Sequence, residues 1–188
     1  MLQEEVINML KGAEDAMKHA LEHLENELVK VRTGKASPAM LGSVMVNYYG
    51  SPAPLGQIAN VSVSDSRTLI IQPWEKNMLA PIERAIMEAN LGFTPGNDGE
   101  VIRINIPPLT EERRKEMVKK AKSLGEDAKV SVRSARHKAM EGFKKLVKDG
   151  LPEDTGKKKE IEVQALTDKY IKQVDHMLEV KEKDIMTV

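Results

Sequence analysis

The sequence predicts an α+β protein: an elongated three-helix bundle carrying an inserted small β/α/β domain on a hinge. Three observations lead there. Apolar residues recur at steps of three and four up to about residue 31 and again from about residue 110. Between those segments the pattern is mostly alternating. Two peptides, Lys30-Val31-Arg32-Thr33-Gly34-Lys35-Ala36-Ser37-Pro38 and Pro107-Pro108-Leu109-Thr110-Glu111-Glu112-Arg113-Arg114-Lys115, mark the two changes of period. Residues 1–33 and 107–188 are therefore expected to form one helical body, interrupted by a domain spanning 34–106. The chain leaves and returns through neighbouring linkers that can act together as a hinge.

The first helical segment runs from about residue 3 to 31, with Ile7, Leu10, Ala13, Met17, Leu21, Leu24, Leu28 and Val31 on one face. The second runs from about 110 to 148. Pro108 cannot continue a helix backwards, and Thr110 can cap the first turn, with Glu111 and Glu112 near the positive end of the dipole. Met117, Ala121, Leu124, Ala128, Val132, Ala135, Ala139, Phe143 and Leu146 form its apolar stripe. Gly125 and Gly142 weaken it modestly, and Gly150 and Pro152 end it. The third segment, from about 153 to 185, carries Val163, Leu166, Tyr170, Val174 and Met177. At 1.5 Å per residue the second helix is roughly 57 Å long, so the bundle is a rod.

In the inserted domain Val44, Val46 and Tyr48 alternate with Met45, Asn47 and Tyr49. Gly50-Ser51-Pro52-Ala53-Pro54 reads as a turn, followed by a strand through Ile58, Val61 and Val63. Ser64-Asp65-Ser66 is a second turn before a strand from Arg67 to Ile71. A helix is expected from Pro81 to Asn90, a turn at Gly96-Asn97-Asp98-Gly99, and a last strand from Val101 to Ile106.

Composition narrows the function. Aromatic residues are 3% of the chain, so the core is aliphatic, and the 31% of charged residues suits long solvated helices. The absence of Cys removes disulfides, thiolate metal sites and cysteine nucleophiles, and suits a reducing cytosol. The acidic start, Met1-Leu2-Gln3-Glu4-Glu5, resembles neither a signal nor a transit peptide, and no apolar run spans a membrane. A cytoplasmic protein is expected.

No catalytic constellation emerges. His19 and His23 are four apart, but no nearby Cys or carboxylate constellation completes a metal site. Gly34-Lys35 lacks the earlier glycine and following Ser or Thr of a phosphate-binding loop. Ser37, Ser66 and Ser131 have no plausible His–Asp partners, and Glu4-Glu5 and Glu111-Glu112 fit helix starts. No cofactor is expected.

The charge distribution is more informative than the zero net charge. From residue 110 to 149 there are 13 basic and 7 acidic residues, about +6. Lys115, Lys119, Lys122, Lys129, Arg133 and Arg136 cluster along one line of the helix, away from its apolar stripe. One reading is a solvated face with local ion pairs. The other is a contact for a nucleic-acid backbone, since Arg makes planar bidentate contacts to phosphate and Glu126 is the main acidic residue on the line. The few aromatics argue against base stacking, which leaves structured RNA recognised by shape and phosphate.

Five motifs in order, Val31-Arg32-Thr33-Gly34-Lys35-Ala36-Ser37-Pro38, Tyr48-Tyr49-Gly50-Ser51-Pro52, Asp65-Ser66-Arg67-Thr68-Leu69, the second junction peptide, and Val132-Arg133-Ser134-Ala135-Arg136, closely resemble the ribosome recycling factor family. The resemblance covers essentially the whole chain. It implies the same two-part fold joined in an L reminiscent of tRNA. It implies a monomeric, non-enzymatic factor that binds the large ribosomal subunit through rRNA. With elongation factor G and GTP, such a factor splits post-termination ribosomes and releases mRNA and tRNA. The family's rRNA contacts map to Arg32, Lys122, Arg133 and, foremost, Arg136; the stripe adds Lys129. The hinge maps to Thr33, Gly34, Asn105, Ile106, Pro107 and Pro108. Lys35 stands where the family often has Arg, and His137 where a second Arg is common. The competing classes are a helical interaction or chaperone protein, which would self-associate or hold an apolar client, and a small-molecule enzyme.

Overall fold

The computed structural model describes residues 1–187. They separate into two compact units: Met1–Val31 with Val118–Lys183, and Arg32–Met117 with the residues from Asp184 onward. The expected boundaries lay at residues 33/34 and 106/107; here the first two turns of the second long helix group with the small unit.

The helical unit is built from α1 (Leu2–Lys30) and parts of two further helices, which are numbered α4 (Glu111–Lys148) and α5 (Glu153–Met186) in chain order. Val6, Met17, Val132, Phe143, Val163 and Tyr170 from all three share one core. One expectation is corrected. Ile7 is 56% exposed and its neighbour Val6 is 1% exposed. Val6 stands seven before Ala13 and so falls on the buried line, whereas Ile7 is turned about 100° from Val6. Gly125, expected to weaken α4, is buried, and a Cβ there would collide with the Leu178 side chain. The missing side chain lets α4 and α5 approach closely. The Tyr170 hydroxyl, buried in the bundle, donates to Glu14 Oε1 of α1 at 2.9 Å. Burial, reinforced by that carboxylate, pushes the phenol up to about 12.

Both ends of α4 follow the sequence. Thr110 Oγ1 accepts from the Arg113 amide at 3.2 Å, capping the N-terminus. At the other end Gly150 adopts φ +113°, the amide of Leu151 donates to Leu146 O at 2.9 Å and that of Gly150 to Val147 O at 3.2 Å. This is the paired closure that glycine permits just beyond a helix, and it brings Leu151 into the core.

The small unit holds a hairpin of β1 (Met45–Tyr48) and β2 (Ser51–Pro54), a single turn α2 (Leu55–Ile58), β3 (Ala59–Asp65), β4 (Thr68–Pro73), α3 (Leu79–Glu88), β5 (Pro95–Asn97) and β6 (Ile102–Asn105). The last four strands form an antiparallel sheet in the order β3-β4-β6-β5, with a register shift between Val63 and Asp65. Two expected turns are strands. Ser51–Pro54 pairs with β1, where prolines are tolerated because a two-stranded ladder has free outer edges. Pro95–Asn97 pairs with β6 before the chain turns. The helix runs from Leu79 to Glu88, and Asn90 (φ 51°) and Gly92 (φ 87°) carry the chain away from it. Leu55, Leu69, Ile71, Ile82, Ile102 and Ile104 are core residues.

The segments just before β1 and just after β6 are tied to one turn of this unit. The Ala36 amide donates to Ser66 O, and the Ile106 amide to Arg67 O, each at 2.7 Å. The turn that supplies both carbonyls is held by Asp65, which accepts from the Arg67 amide at 2.9 Å and the Thr68 hydroxyl at 3.1 Å. Those bonds hold the carboxyl below its usual range.

Candidate nucleic-acid interface

The basic line of α4 is two rows. Lys122, Lys129 and Arg136 are seven apart, so they fall within about 20° of one another from turn to turn. Each follows one inward residue by one position and precedes another by three: Ala121 and Gly125, Ala128 and Val132, Ala135 and Ala139. That places the row at the edge of the packed stripe, within reach of α5. Lys119, Glu126 and Arg133, also seven apart, form a second row further round the helix, and all three are exposed.

The inner row has partners on α5 that sequence spacing along α4 did not reveal. Lys122 Nζ lies 3.8 Å from Glu182. Lys129 Nζ lies 2.6 Å from Asp175 and 3.7 Å from Glu126, with 15% of its side chain exposed. Arg136 Nη1 donates to Gln164 Oε1 at 2.8 Å. Lys115, Lys119, Lys122 and Arg133 of this line are exposed as expected, but the expectation of few acidic neighbours is corrected: carboxylates come from the adjacent helix. Lys129, added to the site from the stripe alone, is largely enclosed and ion-paired. Arg133 is exposed and has no side-chain partner among the described residues.

Lys115 pairs with Glu111 at 3.4 Å on the part of α4 that belongs to the small unit. Arg32 also belongs to that unit; it is half-buried and its Nε is covered and unpaired. Among the expected hinge residues, Thr33 Oγ1 accepts from the Lys35 amide at 3.3 Å. Gly34 does not use the left-handed region, and a Cβ there would meet Thr187 O at an ordinary 3.5 Å. Asn105 and Ile106 are not linker. Asn105 ends β6 opposite Thr68, and Ile106 is fully buried in the small unit's core. Pro107 and Pro108 follow as exposed residues. Alternation continuing to Ile106 was the signal that placed it in the sheet's core.

His19 faces Glu22 at 3.4 Å and His137 faces Glu141 at 3.1 Å, each pair within one helix. No group of three or more His, Cys, Asp or Glu among the described residues could hold a metal ion. No helix among them is long and apolar enough to cross a membrane.

The family model described as ribosome recycling factor matches residues 24–186. The chain belongs to the ribosome recycling factor family. The recycling factor of Flavobacterium johnsoniae is 52% identical over 187 residues, covering 100% of both chains. That of Christiangramia forsetii is 55% identical over 98% of this chain and 100% of its own. A solution structure of a ribosome recycling factor matches with a TM-score of 0.80 at 41% identity, covering 98% of each chain. A second match, TM-score 0.68 and 42% identity over 97% and 99%, is described as models for the T. thermophilus recycling factor and E. coli elongation factor G bound to the E. coli post-termination complex. The α+β architecture read from the sequence is thus that of the recycling factor family.

Proposed function

We propose that this chain docks on the rRNA of the large ribosomal subunit through α4 and, with elongation factor G and GTP, splits post-termination ribosomes so that mRNA and tRNA are released. The observation that carries the docking face is Arg133 and Arg136 on the outer and inner rows of one helix: exposed guanidinium beside held guanidinium, three residues apart. Their planar donors suit phosphate oxygens. The relative described as bound with elongation factor G to a post-termination complex supports the same partners.

The chain supplies binding and leverage, not bond chemistry; the GTPase supplies the energy, and the factor acts in the cytoplasm as a monomer without a cofactor. Turning near Thr33-Gly34 and Pro107-Pro108, both among residues that group with the small unit, is the mechanical step. Arg32 adds a contact beside Thr33-Gly34.

The test is binding to purified large subunits as a function of salt, for the natural chain and Arg136→Glu. Affinity that falls steeply with salt and drops at least about tenfold in the variant is the expected result. Binding indifferent to both would move the function to a helical protein-interaction role. A splitting assay with elongation factor G and GTP then tests the remaining steps.

A further inference from the structure

We propose that Gln164 and Asp168 of α5 are positioning residues for Arg136, orienting its guanidinium for a phosphate while leaving its charge uncancelled; this rests on reading α4 as the rRNA-binding face. Arg136 Nη1 donates to Gln164 Oε1 at 2.8 Å. Gln164 Nε2 donates in turn to Asp168 Oδ1 at 3.0 Å. The relay fixes the amide's direction. Reversed, it would set an NH2 group against the guanidinium and an oxygen against the carboxylate, repulsive at both ends. Asp168 therefore decides that an acceptor faces Arg136.

The chemistry of that acceptor separates Arg136 from the other cations of its row. Lys129 is held by the Asp175 carboxylate and Lys122 faces the Glu182 carboxylate. Each such pair must be broken or shared before the ammonium meets another anion. Gln164 is neutral, and the formal negative charge stands one residue further away, on Asp168. Arg136 is thus held in place at full charge. Nε is covered and unpaired, and Nη2 has no protein partner among the described residues. A guanidinium already restricted to one arrangement loses less freedom on binding than a free one, and partial desolvation strengthens its bonds to phosphate.

The experiment compares large-subunit binding across salt for the natural chain, Gln164→Met, Asp168→Asn, Asp168→Ala, Arg136→Ala and the Gln164→Met/Arg136→Ala pair, with thermal melts as the check on folding. Gln164→Met is expected to weaken binding about fivefold, the order of one ordinary hydrogen bond's net worth. The same change on the Arg136→Ala background should cost nothing further. Asp168→Asn, whose oxygen still accepts from Gln164, should bind as the natural chain does, whereas Asp168→Ala should lose affinity. Asp168 is exposed, so its alanine variant carries the test should Gln164→Met not fold. Equal losses for Gln164→Met on both backgrounds, or none on the natural one, would overturn the proposal. If Arg136→Ala itself binds normally, the interface reading fails and this one with it; if only Gln164→Met and Asp168→Ala are silent, the interface stands and the positioning role falls.

Discussion

Lys129 Nζ sits 2.6 Å from an Asp175 carboxylate oxygen, joining α4 to α5 with 15% of the lysine side chain exposed. A cation so engaged is part of the bundle's architecture. Lys129→Gln is expected to leave large-subunit affinity within about twofold of the natural chain. The same change should lower stability by about 1 kcal/mol, since Asp175 itself is 57% exposed and can rehydrate. Salt-dependent binding and a thermal melt on one preparation separate the two effects. A binding loss as large as that of Arg136→Glu would return Lys129 to the interface.

Arg133 offers the opposite case. It is exposed and has no side-chain partner among the described residues. Arg133→Glu should leave the melting temperature unchanged, weaken large-subunit binding about tenfold and reduce the log–log salt slope by about 1. An unaltered slope would mean that no phosphate sits there.

Tyr170→Phe removes the bond to Glu14 and should cost about 1 kcal/mol at neutral pH, read by denaturant unfolding. The pH dependence has a definite sign. The folded phenol is raised from 10.0 to about 12, so the folded state favours the neutral form. Its contribution is present in full below pH 10 and is lost as pH rises through about 12. The natural chain should therefore lose stability more steeply than Tyr170→Phe across that window. Parallel alkaline limbs would count against a buried, shifted tyrosine.

Two helical glycines in α4 should respond differently to alanine. A Cβ at Gly125 would lie 2.8 Å from Leu178 Cγ and closer still to a methyl carbon. A branched side chain in a packed core yields poorly, so Gly125→Ala should destabilise by about 1–2 kcal/mol despite its better helix propensity. At Gly142 the added carbon meets Met9 Sδ at 2.7 Å, the outer part of a flexible thioether chain. Gly142→Ala should be neutral or stabilising by up to about 1 kcal/mol. Thermal melts of the two variants, side by side, check the contrast.

The long helices were legible because their apolar periodicity runs through some thirty residues each, more than enough to overrule isolated glycines. Ile7 was misplaced because it and Val6 are both apolar, and only the exact seven-residue spacing to Ala13 distinguishes them. Short elements were harder. α2 has four residues and β5 three, too few for any period to show, and Pro52 and Pro54 made β2 look like a turn. At the candidate interface, spacing and family motif pointed to Arg133 and Arg136. The ion pairs of Lys122 and Lys129 were hidden, because their carboxylate partners lie more than forty residues away on α5. A single helix's charge pattern is silent about the neighbour that packs beside it.

The four-stranded sheet ends in two unlike edges, and each carries its own protection against a second chain. β3 presents Asn60, Ser62, Ser64 and Asp65 and breaks register near its end, so an incoming strand would find polar side chains and a ladder out of step. β5 offers three residues, beginning with a proline that has no amide hydrogen to give. The small unit can thus display open strands without recruiting copies of itself into fibrous stacks.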